Sequence, residues 1–145
     1  MKKIMFAVLL LAGIASYAGS APVVNEKVLK AFKETFTNAE NVIWQEYDNY
    51  YQANFWQKDI NIRVKYDEEG NVLGTIRYYF ENNLPPNLLA KLKKKYNGKK
   101  IYGITEVASD SEMLYVIKLE DDKYWYTVNS DSLGNMQITE KFKKA

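Results

Sequence analysis

The sequence of 145 residues contains no cysteine and no histidine. Their absence excludes disulfides, thiol redox chemistry, ordinary zinc sites and the hydrolase sites that use a catalytic cysteine or histidine. Proline and glycine are scarce, with three and seven copies, which is typical of a folded chain rather than a low-complexity one. The sequence therefore predicts a globular protein that is stabilised by packing, and we expect no cofactor.

The first residues predict a secretory signal peptide. An apolar run over residues 4–15 follows two lysines, and a stretch rich in small residues follows it at 16–21. Cleavage after Ala18 is favoured over cleavage after Ala21, because Pro22 would directly follow the second cut. An uncleaved anchor is the alternative, but the run is shorter than the roughly 20 residues that span a bilayer. We expect bacterial export to a periplasmic or secreted location, with no membrane span after cleavage.

The charge balance gives little indication of the partner. Removal of residues 1–18 takes away Lys2 and Lys3 and leaves equal numbers of basic and acidic residues. A neutral chain has no global electrostatic attraction to nucleic acid, so nucleic acid is excluded as the expected partner.

Hydrophobic periodicity predicts two helices and eight strands. Apolar residues at helical spacing predict a helix over residues 25–36 and a second over residues 85–96, which two prolines begin and Asn97-Gly98 ends. Aromatic and β-branched runs between turn residues predict antiparallel strands. The predicted strands cover residues 42–47, 50–56, 60–66, 72–80, 101–107, 113–120, 124–129 and 135–142.

The two halves of the chain correspond to each other. The helix residues match at an offset of 60, and after four residues enter the second copy, turn residues 67–71 match residues 131–135 in their Asp, Gly and Asn positions. The helix correspondence joins Val28, Phe32 and Phe36 to Leu88, Leu92 and Tyr96. Such a shared register is typical of a tandem duplication. We predict an α+β fold in which repeats over residues 19–83 and 84–145 form one compact unit, with both helices packed on one face of an antiparallel sheet.

Acidic residues occur in two triplets, 67–69 and 120–122. Both lie between predicted strands, where acidic residues commonly form turns, so turns are favoured over a carboxylate active site. The repeated turn at Gly70 and Gly134 lacks the full oxygen ligand set of a calcium loop. We therefore predict no catalytic residue, no metal-binding residue and no enzymatic activity.

Six lysines form a basic cluster on and after the second helix. They are Lys91, Lys93, Lys94, Lys95, Lys99 and Lys100. The cluster could recognise an acidic partner or anionic lipid headgroups. A solvated helix face is favoured, because late lysines complement the helix dipole and the opposite stripe is apolar.

Aromatic residues are abundant, with 12 Tyr, 6 Phe and 3 Trp. Strand alternation directs Trp56 and Trp125 away from the helices, although a one-residue slip in register would reverse both. Exposed tryptophans are typical binding anchors, but a second sheet or a dimer partner would cover them equally well. The predicted partner-binding residues are Trp56, Trp125, Tyr79, Tyr47, Arg63 and Lys65.

A family resemblance extends over most of the chain after residue 18. It rests on residues 28–36, Asn38-Ala39, Val42-x-Trp44, Tyr51-x-Ala53-x-Phe55, Tyr66-Asp67-x-x-Gly70-Asn71, Leu84-Pro85 and Tyr96-x-Gly98. Together these residues resemble the PepSY-like secreted proteins, which are similar in fold to the β-lactamase inhibitor protein. The resemblance implies two α-β4 repeats whose sheets form a curved binding surface opposite the helices. The inhibitory loop residues have no counterpart here, so β-lactamase inhibition is not implied.

Three functional classes follow. The favoured class is an exported, non-catalytic binding protein whose partner is a protein or peptide, including a peptidase or other hydrolase to be restrained. The alternative is a periplasmic small-ligand-binding or envelope-stress protein with an apolar pocket between sheet and helices. The third is a carboxylate enzyme, which requires two acids about 5 to 10 Å apart across a cleft.

Overall fold

The computed structural model describes residues 20–145, and the predicted signal peptide, residues 1–18, lies outside them. A helix followed by four strands occurs twice in these residues. The elements are α1 (Glu26–Thr35), β1 (Glu40–Tyr47), β2 (Tyr50–Gln57), β3 (Ile60–Tyr66), β4 (Val72–Tyr79), a 3-10 helix (Glu81–Asn83), α2 (Pro86–Lys95), β5 (Lys100–Ala108), β6 (Met113–Glu120), β7 (Tyr124–Asp131) and β8 (Met136–Lys143). The predicted α+β class is confirmed.

Each helix begins where its sequence supplies a start. The side chain of Asn25 accepts a hydrogen bond from the backbone N–H of Lys27 at 2.8 Å and caps α1. Helix α2 has no side-chain cap, but it opens with Pro86, whose missing N–H costs nothing in a first turn. The buried side chains of the helices are Val28 and Phe32 in α1, and Leu88 and Leu92 in α2.

All eight strands form one antiparallel sheet in the order β1 to β8. One row of directly opposite residues crosses six strands, from β2 to β7: Phe55, Ile62, Arg77, Glu106, Tyr115 and Ser130. Residues in such a row share a face of the sheet. Phe55 packs against α1 and Tyr115 belongs to the core under α2, so both helices lie on the same face.

Each helix covers its own hydrophobic core. The α1 core contains Val24, Val28, Phe32, Ala53, Phe55, Ile62, Val64 and Tyr66. The α2 core contains Tyr79, Leu84, Leu88, Leu92, Ile104, Tyr115, Ile117, Leu119, Tyr126, Val128 and Met136. Ile60 packs against both, so the two cores are joined through the sheet.

A polar cluster lies in the middle of the helix-bearing face. Glu106 is buried, and its Oε1 accepts a hydrogen bond from Arg77 Nη1 at 3.0 Å. Its Oε2 accepts a second from the hydroxyl of Tyr79 at 2.6 Å. The carboxylate therefore has both oxygens paired, as a buried charge requires.

The hairpin turns after β3 and β7 have the same construction. In the first, Asp67 Oδ1 accepts from the backbone N–H of Asn71 at 2.8 Å, and in the second Asp131 Oδ1 accepts from Asn135 at 2.9 Å. Gly70 has φ +89° and Gly134 has φ +85°, a region that favours glycine. The acidic residues at 67 and 131 therefore stabilise turns.

Candidate functional site

The sheet face that carries no helix is called the open face. Its direction follows from strand alternation, because every second residue of a strand points away from the helix side. Across the centre of the sheet it presents Trp56, Asn61, Tyr78, Thr105, Val116 and Asn129 in one row. Within residues 20–145, no helix packs on this face.

An aromatic cleft lies at the centre of the open face. It has a volume of about 340 Å3 and is lined by residues of β2, β3, β4 and β5 together with Lys118 of β6. Its exposed aromatic residues, with their exposed fractions, are Trp56 (44%), Tyr78 (37%), Phe80 (63%) and Tyr102 (57%). Large aromatic side chains that stay this exposed around one concavity are typical of a binding site.

Trp125 continues the aromatic surface from this cleft. Its ring lies edge-to-face against Tyr102, with centroids 5.0 Å apart and planes at 84°. A shallow cleft lined by Tyr102, Lys118 and Trp125 joins the two. Lys144 Nζ lies 4.7 Å from the centroid of the Trp125 ring, so this tryptophan is partly covered by a cation.

The other side of the aromatic cleft is polar and basic. Arg63 and Lys65 follow the cleft residue Asn61 on the same face of β3. Both line a second cleft of about 190 Å3 together with residues 73–76 and 107–109. The predicted polar contacts therefore lie beside the aromatic residues.

Tyr47 lies on the open face at the β1–β2 turn. It is exposed and stacks on Tyr50, with ring centroids 4.5 Å apart. Lys65 Nζ lies 5.0 Å from the centroid of the Tyr50 ring. Tyr47 is thereby linked to the end of the open face that carries Arg63 and Lys65, which is called the basic end, and not to the aromatic cleft.

Tyr79 belongs to the lining of the aromatic cleft, but it is not an exposed anchor of the open face, and this part of the predicted site is corrected. It is only 4% exposed, it lies opposite Ile104 on the helix side, and its hydroxyl binds Glu106. Burial, together with the adjacent carboxylate of Glu106, raises the pKa of the Tyr79 hydroxyl well above its ordinary value. The neighbouring Tyr78 takes the outward position, because it lies opposite Asn61 and Thr105.

Three cleft residues were missed by the sequence analysis, namely Tyr78, Phe80 and Tyr102. Phe80 follows the last residue of β4, and Tyr102 lies at an irregularity between Ile101 and Gly103 of β5. Strand alternation does not predict the direction of a side chain at such positions. The only signal in the sequence was the aromatic run at 78–80.

The basic cluster of α2 is largely engaged within the molecule. Lys91 donates to the carbonyl oxygen of Leu133 at 2.6 Å, and Lys95 donates to that of Met136. The remaining ion pairs are Lys93 with Glu81, Lys99 with Asp121, and Lys100 with Glu120. These lysines therefore hold α2 and its following strand against neighbouring loops.

The second acidic triplet is also held by internal contacts. Asp121 Oδ2 accepts from Lys99 Nζ at 2.8 Å and from the Tyr126 hydroxyl at 2.7 Å, and both lower the pKa of this carboxyl. Glu120 pairs with Lys144 at 2.6 Å, which lowers the pKa of Glu120. The triplet thus stabilises the β6–β7 turn.

The fold is similar to that of several solved structures. A BLIP-like protein from Bacteroides fragilis NCTC 9343 matches with a TM-score of 0.61 and 20% identity over 86% of this chain and 89% of that one. A DUF2874 family protein from Bacteroides ovatus ATCC 8483 matches with a TM-score of 0.60 and 20% identity over 84% of this chain and 89% of that one. The likeness confirms the expected fold, that of the β-lactamase inhibitor protein, and at these identities it establishes the fold alone.

A third neighbour bears on location. It is a protein from Bacteroides eggerthii DSM 20697, provisionally described as periplasmic, with a TM-score of 0.59 and 13% identity over 84% of this chain and 90% of that one. No protein-family model and no curated protein sequence matches this chain. Within residues 20–145, no helix is both long and apolar enough to cross a membrane.

Proposed function

We propose that this chain is an exported, non-catalytic binding protein of the PepSY-like type that holds a protein or peptide partner on its open face. The observation that carries the proposal is the aromatic cleft. Trp56, Tyr78, Phe80 and Tyr102 are large, rigid aromatic side chains, and a few buried anchors of this kind contribute most of the binding energy in protein interfaces. Trp125 extends the same surface, so the aromatic area is continuous.

The lowered pKa values of five carboxyl groups fit a structural role for these residues. Five carboxyls within residues 20–145 have a pKa that hydrogen bonds or lysines lower, namely Asp67, Glu120, Asp121, Asp131 and Glu140. A carboxyl that acts as a general acid near neutral pH needs a raised pKa. The shifted carboxyls are thus suited to stabilising the fold.

The proposed partner is a peptidase or other hydrolase of the periplasm or medium, which the open face restrains. Support comes from the BLIP-like neighbour, whose name refers to an enzyme inhibitor, and from the resemblance of the sequence to PepSY-like secreted proteins. The export signal predicted over residues 1–18 agrees with this location.

A capture experiment tests the proposal. The chain from Gly19 onward is immobilised and exposed to the periplasmic and secreted fractions of its source, and bound proteins are identified by mass spectrometry. We expect one protein to be enriched, and the double variant Trp56→Ala, Tyr102→Ala to lose it, because each removed ring costs about 2 kcal/mol or more at an interface centre.

The control is Leu133→Ala, which removes a side chain that is 71% exposed in the β7–β8 turn. It should capture the partner as the unmodified chain does. Circular dichroism and the unfolding midpoint verify that the double variant is folded, since exposed substitutions change stability by only about 0.5 kcal/mol. Equal capture by the double variant would remove the open face from the proposal.

The second candidate function is small-ligand binding. A volume of about 340 Å3 lies within the range of roughly 300 to 1,000 Å3 that small-molecule sites occupy. The cleft lies on the open face and not between sheet and helices, where the sequence analysis placed the ligand pocket. Quenching of tryptophan fluorescence by small aromatic compounds, abolished in Trp56→Ala, would favour this function over protein binding.

A further inference from the structure

The cations at the basic end of the open face differ from the other cations of this face in their ion pairing. Arg63 and Lys65 form no ion pair with a carboxylate in the part of the chain that the structure describes. By contrast, the open-face cations at the β7–β8 side have carboxylate partners: Lys118 pairs with Glu140 and Lys144 with Glu120. Positive charge is therefore left uncompensated at one end of the face.

The Arg63 side chain is held in place by a network of side-chain amides. Its Nε donates to Asn54 Oδ1 at 3.0 Å. The Asn54 amide in turn donates to Gln45 at 3.1 Å, and the buried Gln52 donates to the same Gln45 oxygen at 2.9 Å. Because the bond is made through Nε, neither Nη group is bonded within residues 20–145, and such a fork matches a carboxylate.

Lys65 is positioned next to this guanidinium. It is the next residue of β3 on the same face, so the two side chains begin about 7 Å apart. The ring of Tyr50 lies under its ammonium group, with Nζ 5.0 Å from the centroid. Two cations on neighbouring positions, one orientated by amides and one by a ring, form a preorganised cationic subsite for an anion.

The aromatic cleft begins one step further along the same strand. Asn61 lines the cleft and precedes Arg63 by two residues on β3. Tyr78 of β4 also lines the cleft and lies directly opposite Asn61. Ile76, two residues before Tyr78 on β4, lies opposite Arg63 and lines the second cleft together with Arg63 and Lys65. An extended polypeptide that lies along β3 on the open face can therefore place one side chain in the aromatic cleft and reach both cations within about three or four residues, at roughly 3.3 Å per residue.

We infer that the open face recognises an acidic polypeptide segment in which one large apolar side chain enters the aromatic cleft while nearby Asp or Glu carboxylates bind Arg63 and Lys65. This inference rests on the proposed function and specifies the chemistry of the partner. The apolar group supplies most of the buried area, and the carboxylates determine orientation and selectivity. A neutral chain can thus select an acidic partner through one local pair of cations.

A peptide selection tests the inference without knowledge of the partner. Random peptides of about 10 residues, which span roughly 33 Å when extended, are displayed and selected on the immobilised chain from Gly19 onward. We expect the enriched peptides to combine an aromatic or large aliphatic residue with Asp or Glu. Replacing those acids by Asn or Gln in a synthetic peptide should weaken its binding at least about tenfold, and added salt should weaken it too.

Matched variants assign the effect to the basic subsite. Arg63→Gln, Lys65→Gln should lose the acidic preference while still selecting apolar residues. Lys33→Gln, Lys94→Gln removes the same charge from exposed positions on α1 and α2, and it should select the same peptides as the unmodified chain.

The outcomes separate the inference from the proposed function. If the unmodified chain and Arg63→Gln, Lys65→Gln select the same peptides, acidic recognition is overturned while apolar binding at the open face stands. A selection that enriches no shared sequence also overturns the inference, and the proposed function is then decided by the capture experiment alone.

Discussion

Two buried tyrosines, Tyr66 and Tyr79, have hydroxyl groups in opposite surroundings. The hydroxyl of Tyr79 donates to Glu106 at 2.6 Å. The hydroxyl of Tyr66 has no hydrogen-bond partner among the described residues, and burial raises the pKa of Tyr66 to about 12. A buried polar group without a partner is a cost, whereas a paired one contributes to stability.

Substitution of each tyrosine by phenylalanine should therefore have opposite effects. Tyr66→Phe is expected to leave the free energy of unfolding unchanged or raise it by up to about 1 kcal/mol, since it removes an unpaired hydroxyl. Tyr79→Phe should lower it by about 1 to 3 kcal/mol, because one oxygen of Glu106 loses its donor. Urea unfolding of both variants is the measurement, and equal losses for the two would contradict the assignment.

At the scale of the elements, the β3–β4 hairpin is docked on the first turn of α1. Asn25 donates from its side chain to the carbonyl oxygen of Glu68 at 3.1 Å, and Lys27 pairs with Glu69. Gly70 permits this approach, because a Cβ there would lie 3.0 Å from the carbonyl oxygen of Lys27. The turn thus combines a positive φ with close contact to a helix.

Gly98 provides a matched comparison for Gly70. Its φ is +79°, but a Cβ at this position would meet nothing within 4 Å. Gly98→Ala should cost about 1 to 2 kcal/mol from backbone strain alone, whereas Gly70→Ala should cost a further 1 kcal/mol or so from overpacking against α1. Denaturant unfolding of the two variants tests this, and an equal loss in both would show that the hairpin is not tightly docked.

The direction of the β4 side chains also belongs to this scale. Tyr78 and Tyr79 are chemically equivalent in the sequence, and both fit a strand. Their directions are set by pairing with β3 and β5, and β4 contains an irregularity where Lys65 and Tyr66 pair with Gly74 and Val72. The sequence therefore predicts the strand, but the prediction of Tyr79 as an anchor is wrong, because a bulge is not visible in an alternation pattern.

At the scale of the whole molecule, ionised carboxyls stabilise turns in both halves. Hydrogen bonds from Asn71 and Asn135 lower the pKa of Asp67 and Asp131, and those from Lys99 and Tyr126 lower the pKa of Asp121. A carboxyl whose folded pKa lies below its unfolded value, about 3.9 for Asp, stabilises the fold above that value. This stabilisation is lost as the pH falls through the folded pKa.

The free energy of unfolding should consequently decrease as the pH is lowered from about 5 towards 2. Asp121→Asn should be less stable than the unmodified chain at neutral pH, and its stability should fall less steeply with acid, since one of the titrating groups is gone. Urea unfolding across this pH range measures both slopes. Parallel slopes for the two proteins would contradict the role of Asp121.

Two helices and eight antiparallel strands were determined by the sequence itself, because their signals are local. Helical spacing at Val28 and Phe32, proline at the start of α2 and alternation in β3 each depend on neighbours within one element. The outward direction of Trp56 followed from the same alternation. Local chemistry was thus sufficient for the fold class.

Only the tertiary structure decided which residues meet on the open face. Phe80 and Tyr102 are distant in sequence and lie at irregular positions, yet they line one cleft with Trp56. Within residues 20–145, the lack of a carboxylate partner for Arg63 and the ion pairs of Lys93, Lys99 and Lys100 likewise depend on which carboxylates the fold brings within reach. Such contacts join residues that are far apart in the chain, so their presence depends on strand order and register, which no local pattern contains.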